Sequence, residues 1–377
     1  MIKILTVIGA RPQIIKAAAL SRAISSKYNS QLKEYILHTG QHYDENLSQV
    51  FFDELKIPRP DYQLNVGSSS HGAQTGSMMQ QIEDVLLELK PDVMVLYGDT
   101  NSTLAGALVA AKLGTHVVHI EAGLRSFNKD MPEEINRIVC DHCSSMLFSP
   151  TTSGVTNLEK EGFDLNAQAP YSKDNPKVVH CGDVMYDNSL HFSELADMKK
   201  SLLENVAEDF ILATIHRPYN TDEPARLEQV MNSLLKVSED QNMDVVLPMH
   251  PRTKHLLKSK LPAVLEKLDS AARIHLIPPV SFLEMVLLEK ETKLVVTDSG
   301  GVQKEAFFFK KPCVIVRTET EWVELVEMGC AELCFDVQEN LSASVDRLLS
   351  KTDLEFTPIF GDGKAAEFIA SEIICHL

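Results

Sequence analysis

Ile2-Lys3-Ile4-Leu5-Thr6-Val7-Ile8-Gly9-Ala10-Arg11-Pro12-Gln13-Ile14-Ile15-Lys16 opens the chain and sets its architecture. The apolar run Ile2–Ile8 reads as a buried strand, Gly9 permits a tight turn, and Pro12 suits the first turn of a helix. Strand, turn and helix make the start of a βα unit. The same alternation recurs at Tyr35–His38, Val93–Tyr97, Val117–Ile120, Met146–Ser149 and Val178–His180. A second series follows at Phe210–Ile215, Val245–Pro248, Ile274–Ile277, Leu294–Thr297 and Pro312–Val316, spaced by helical segments such as Arg226–Gln241 and Ser299–Phe309. Parallel strands need crossover helices, and those helices cover both sheet faces, so the pattern predicts an α/β chain with two doubly wound parallel sheets.

At roughly 100–200 residues per domain, 377 residues make two domains. The crossover falls near Asp183, giving domains 1–182 and 183–362. The helical segment 363–377 follows the turn Phe360–Gly363. With 36 basic and 53 acidic side chains the net charge is −17, which repels phosphate backbones and excludes nucleic acid as a partner. A phosphate ligand must then be held by local groups. No apolar stretch approaches the roughly 20 residues that span a bilayer. Met1 leads into a strand and not into a signal peptide, so the cytoplasm is the expected compartment. Seven cysteines, an odd number, point to reduced thiols.

In open α/β sheets ligands bind beyond the carboxyl ends of the strands. After the first strand, Arg11 and Lys16 flank a helix start, which suits a diphosphate. The segment has neither the Gly-x4-Gly-Lys-Ser/Thr phosphate loop nor the Gly-x-Gly-x-x-Gly dinucleotide pattern, so nucleotide hydrolysis and hydride transfer find no support. Thr39-Gly40-Gln41-His42 is a polar turn, either a capped loop or a ligand contact. Asp99, in Gly98-Asp99-Thr100, and Glu121, in Glu121-Ala122-Gly123, each stand at a strand end. Asp99 could cap the next helix, whereas Glu121 has no helix to cap. Pro132-Glu133-Glu134-Ile135-Asn136-Arg137 is a helix start in which dipole complementarity accounts for one carboxylate and not both. Acids converging beside cations are driven to different pKa values, which gives one site a base and an acid.

In the second half His216-Arg217 ends a strand, and His216 offers a ring N–H and a charge to phosphate. His250, in Met249-His250-Pro251, is a similar but weaker signal. Asp298-Ser299-Gly300-Gly301 runs from a strand into a helix through a turn with little Cβ bulk, so backbone N–H groups can meet a phosphate there. Glu305 on that helix is placed to accept from a ribose hydroxyl. Cys140-Asp141-His142-Cys143 supplies only half of a zinc site, and no metal is expected.

These motifs, in this order from Met1 to the C-terminal helix, resemble the non-hydrolysing UDP-N-acetylglucosamine 2-epimerases. The resemblance implies two Rossmann-like domains in a glycosyltransferase-B-like arrangement, with the C-terminal helix returning to the first domain, and a homodimer. It also implies a cofactor-independent reaction on a UDP-sugar. UDP is eliminated to leave a 2-acetamidoglucal and is re-added after protonation of C2 from the opposite face. By motif match Asp99, Glu121 and Glu133 are the acid/base candidates. Counted with that catalytic set, His216 joins Arg11, Lys16, Ser299 and Gly300 on the diphosphate, with Glu305 on the ribose and Phe282 at the uracil. Gln41, His42, Arg137, Arg217, His250 and Gly301 complete the binding candidates.

Two departures bear on the substrate. The usual Gly-Thr-Arg-Pro-Glu is Gly9-Ala10-Arg11-Pro12-Gln13 here, and Thr-Glu-Arg-Pro-Glu is Thr320-Glu321-Trp322-Val323-Glu324, which removes an Arg near the expected sugar pocket. Relatives acting on UDP-2,3-diacetamido-2,3-dideoxy-glucuronate for surface polysaccharides share such features, so the groups at C3 and C6 stay open. A glycosyltransferase of the same fold, a nucleotide-sugar sensor and a hydrolysing epimerase are the competing readings.

Overall fold

The computed structural model describes residues 1–41 and 57–377. It divides into two compact units, Met1–Asn188 with Pro358–Leu377, and Ser189–Thr357. Helix Val184–Ala196 carries the chain from one to the other, a few residues beyond the Asp183 crossover read from the sequence.

Unit 1 is built on a seven-stranded sheet. Its strands are β1 (Ile2–Ile8), β2 (Leu32–His38), β3 (Tyr62–Gln63), β4 (Val93–Tyr97), β5 (His116–Ile120), β6 (Met146–Ser149) and β7 (Lys177–His180). The order is β3-β2-β1-β4-β5-β6-β7, and every pairing is parallel. β4 is buried along its whole length, as a strand covered on both faces must be. Met94 and Leu96 pack with Met78, Ile82 and Leu86 of helix His71–Leu89 and with Ala105 and Val109 of helix Asn101–Leu113. Each such side chain stabilises by about 1.5–3 kcal/mol when fully buried. The strand order reverses between β1 and β4, so the turns after Ile8 and Tyr97 open at the place where this fold binds ligands.

The C-terminal helix Ala365–His376 belongs to unit 1, and buried Asp187 accepts its first amides, Ala365 N at 3.1 Å and Ala366 N at 2.7 Å. Burial pushes the Asp187 carboxyl up to about 6, against the pull of those two amides. A carboxyl raised on folding keeps its proton longer in the native state. Its contribution is therefore full below the unfolded value of about 3.9 and is lost as pH rises through about 6. Urea midpoints measured from pH 4 to 7 should show the parent losing stability relative to Asp187→Asn across that window. A difference independent of pH would remove this account.

Unit 2 repeats the plan with six parallel strands. They are β8 (Phe210–Thr214), β9 (Asp244–Pro248), β10 (Ile274–Ile277), β11 (Leu294–Thr297), β12 (Cys313–Ile315) and β13 (Ala331–Leu333), in the order β10-β9-β8-β11-β12-β13. Val230, Leu234 and Val237 of helix Pro224–Asp240 and Leu341 and Val345 of helix Val337–Ser350 cover Val245, Leu247, Val296 and Val314. The reversal lies between β8 and β11, where Thr214 pairs with Thr297 and their hydroxyls meet at 2.5 Å. The loops that follow these two threonines leave the sheet side by side. All seven cysteines are unpaired thiols. Among the described residues no helix is long and apolar enough to cross a membrane.

Candidate active site

In unit 1 the turn after β1 is held by Gln13. Its amide oxygen accepts from Gly9 N (2.9 Å) and Ala10 N (3.1 Å), and its amide nitrogen donates to Tyr97 O (2.9 Å) and Thr103 Oγ1 (3.0 Å). An ionised Glu could not donate to Tyr97 O, so Gln at this position ties the β1 turn to the β4 turn. Arg11 stands exposed at the start of helix Arg11–Ala23, and Lys16, one turn on, pairs with Glu121. Glu121 takes a left-handed conformation (φ 77°), which is uncommon for a residue with a side chain and marks a turn held by its surroundings. A Cβ on Gly98 would lie 3.1 Å from Glu121 Oε2 and 3.4 Å from Lys16 Nζ. The β4 and β5 turns and Lys16 are thus packed together.

Thr100 caps helix Asn101–Leu113 by accepting from Thr103 N, so Asp99 does not serve as the cap that the sequence allowed. Its carboxylate pairs with Arg137, and Asn136 Nδ2 donates to its carbonyl at 2.9 Å. Burial raises the Asp99 pKa above the ordinary carboxylate range. Arg137 and Lys16 oppose the rise, and Glu121 and Glu133 add to it. The structure therefore gathers Asp99, Glu121, Glu133, Lys16 and Arg137 within electrostatic reach of one another. The two carboxylates of the Pro132 helix part company. Glu133 is exposed, while buried Glu134 accepts from Ser126 N (2.9 Å) and Phe127 N (3.0 Å) and braces Arg137 (2.9 Å). Gln41 is buried and its oxygen accepts from Ser102 N and Oγ (3.1 and 2.7 Å). His42 lies outside the described residues.

In unit 2 fully buried Asp298 organises the loop after β8. It accepts from His216 N (3.1 Å), Arg217 N (3.0 Å) and Asn220 Nδ2 (3.1 Å). Burial lowers the His216 pKa, Asp298 pulls it back up, and Arg217 and His250 push it down again. The net effect disfavours the charged form of His216, and exposed Arg217 stands beside it as a permanent cation. His250 caps helix Pro251–Lys260 through Arg252 N, its ring centroid 6.1 Å from that of His216.

Ser299 precedes helix Gly300–Phe308. Trp322 donates its indole N–H to Gly300 O at 2.9 Å, and its ring carries the buried Lys304 ammonium 4.8 Å from the centroid. Arg317 and Glu321 form a bidentate pair (2.9 and 3.0 Å), with Glu321 Oε2 3.4 Å from the position of a Gly300 Cβ. Arg317 was not singled out in the sequence, and it restores a cation beside this turn. Glu305 Oε2 lies near Gly301, and Glu305 hydrogen-bonds buried Glu289, whose own carboxyl is pushed well up by burial and by Glu305. Phe282 is buried, its ring perpendicular to that of Phe192 with centroids 5.5 Å apart.

In the Cys140–Cys143 segment Asp141 is committed to His119 (2.6 Å) and Arg125 (2.7 Å), and no metal-sized cluster of His, Cys, Asp and Glu occurs among the described residues. Sequence reading missed Asn136, Asp141 and His119. His119 alone carried a signal, a polar side chain on a buried strand.

Two parallel sheets of Rossmann order, one with carboxylates and cations at its strand ends and the other with a glycine turn at a helix start, define an α/β protein of the two-domain Rossmann class. A family model described as UDP-N-acetylglucosamine 2-epimerase matches residues 25–374, and the chain belongs to that family. It is 48% identical over 368 residues, 98% of both chains, to a UDP-2,3-diacetamido-2,3-dideoxy-D-glucuronate 2-epimerase of Pseudomonas aeruginosa. It is 44% identical over 369 residues, 97% of both, to a UDP-N-acetylglucosamine 2-epimerase homolog of Methanococcus maripaludis. The crystal structure of Methanocaldococcus jannaschii UDP-GlcNAc 2-epimerase in complex with UDP-GlcNAc and UDP aligns over 99% of each chain, with a TM-score of 0.85 and 41% identity.

Proposed function

We propose that this chain inverts C2 of a UDP-2-acetamido sugar, interconverting UDP-N-acetylglucosamine and UDP-N-acetylmannosamine. The observation that carries the reading is that two neighbouring strands, β4 and β5, each end in a carboxylate with its own cation, Asp99 with Arg137 and Glu121 with Lys16. One carboxylate removes the C2 proton while the C1–O bond to UDP breaks. The C–H electron pair becomes the C1=C2 double bond of a 2-acetamidoglucal, and UDP leaves with the electrons of the C1–O bond. An acid on the opposite face then protonates C2, and a diphosphate oxygen re-forms the bond at C1. Electrons balance without an oxidant or reductant, so the reaction requires no cofactor.

Such chemistry needs acid and base groups with separated pKa values, and cations that stabilise the departing diphosphate. Glu133 completes the acid/base set. Arg11, Lys16, His216, Arg217 and the Ser299-Gly300-Gly301 turn hold the diphosphate, Glu305 accepts from the ribose, and the Phe282 segment meets the uracil. Arg137, Gln41, His42 and His250 keep supporting roles. On the same reading the protein is a cytoplasmic homodimer, in keeping with its unpaired thiols and with the resemblance.

Incubation with UDP-N-acetylglucosamine in D2O should place deuterium at C2 of both epimers, read as loss of the H2 proton signal. Epimerisation without label at C2 would falsify the elimination route. Turnover only with an added acceptor would point to a glycosyltransferase. A second substrate is favoured by the 48% identity to the diacetamido-glucuronate enzyme and by Trp322 in place of an Arg. Comparing kcat/KM for the 2,3-diacetamido uronate and for UDP-N-acetylglucosamine decides between the two.

A further inference from the structure

Behind the β4 and β5 turns lies a set of largely buried charges, closed at its outer end by exposed Glu161, which the proposed chemistry does not use. His119 and Asp141 are both fully buried, and the Arg125 guanidinium is nearly so. His119 Nδ1 is 2.6 Å from Asp141 Oδ1, and Nε2 is 2.8 Å from Gly98 O. A carboxylate and a carbonyl only accept, so both ring nitrogens must donate and the ring is an imidazolium. The second oxygen of Asp141 accepts from Gly123 N at 3.2 Å and from Arg125 at 2.7 Å. Arg125 is closed off by Glu161, again at 2.7 Å. Two cations and two anions balance.

Burying ions is costly, and apolar residues of similar volume stabilise a fold at least as well. What this arrangement adds is geometry. One imidazolium holds the carbonyl just before Asp99, and one carboxylate holds the amide two residues after Glu121, so both turns are tied to a single rigid post.

We propose that His119 and Asp141 are positioning residues for the proton transfers at C2, setting Asp99 and Glu121 at a fixed separation from one another. They touch no substrate and act through the Gly98 carbonyl and the Gly123 amide. The inference rests on Asp99 and Glu121 being the acid/base pair. Two neutral near-isosteres test it. Asp141→Asn removes the carboxylate and leaves an amide of the same shape, and His119→Gln keeps one donor for Gly98 O and removes the imidazolium. Because a displacement of about 1 Å can lower a rate about 100-fold, kcat should fall roughly 10- to 100-fold in each. KM for the UDP-sugar and Kd for UDP should stay within about twofold, since the groups that grip the nucleotide are unchanged.

A normal kcat in either folded variant overturns the proposal. So does a parallel loss of kcat and UDP affinity, or failure of both variants to fold, since each would mean that the charges only hold the lobe together. If Asp141→Asn alone fails to fold, His119→Gln decides, because Arg125 still neutralises Asp141 there. Should the parent enzyme show neither C2 exchange nor epimerisation with any UDP-2-acetamido sugar, the functional reading fails first and this proposal goes with it. An active parent with unaffected variants overturns the positioning role alone.

Discussion

Asp99→Asn is expected to lower kcat by about 10^2- to 10^4-fold, the range that a positioned acid or base contributes. The substitution is close to isosteric, and its side-chain oxygen still accepts from Arg137, so folding should be spared. What disappears is a group able to gain and lose a proton at C2. UDP is gripped by groups that the change leaves in place, so its Kd by calorimetry should move less than about threefold. Loss of kcat with UDP affinity intact is the signature of an interaction made only in the transition state. Residual activity within threefold of the parent would sink the assignment of Asp99.

The second large effect is on the backbone. Gly123→Ala should destabilise unit 1 by about 2–5 kcal/mol and abolish most activity. At φ 79° an L side chain costs about 1–2 kcal/mol, and overpacking adds about 1–3. The new Cβ would sit 2.3 Å from Gly154 O and 2.7 Å from Gly154 C, backbone atoms of helix Thr152–Lys160 that no rotamer change can move aside. Either the helix or the Glu121–Gly123 turn must shift, and the turn carries Glu121. Gly162→Ala is the control. Its φ is 96° but a Cβ there meets nothing within 4 Å, so only the torsional part of the cost should appear in a melting curve. Equal melting temperatures for the two variants would show that the close approach to Gly154 does not matter.

Much of the site was legible because its residues sit where strands end, and strand ends can be read from apolar runs. Asp99, Glu121, His216 and Ser299 were singled out that way, each a polar residue one or two positions after a buried strand. Partners were not legible, because they come from elsewhere in the chain. Arg137 reaches Asp99 from a helix 38 positions on, and Lys16 reaches Glu121 across 105. Arg317 carries no sequence signal of its own, because it follows strand β12 and comes within reach of Gly300 only through the fold, where it pairs with Glu321. Phe282 and Gln41 are both buried, Phe282 against the Phe192 ring and Gln41 accepting from Ser102, and neither partner could be read from the sequence.

The order of apolar runs, glycine turns and helix starts was enough to predict two doubly wound parallel sheets, because period and length decide which segments become strands; the short strands β3 and β13 and the reversal points are set by the tertiary structure. Charge state was beyond its reach. Whether a histidine's pKa is lowered, as at His216, or its ring is held as an imidazolium, as at His119, depends on burial and on acceptors brought close by folding. Desolvation and Coulomb energies vary with distances in space, and only the tertiary structure sets those.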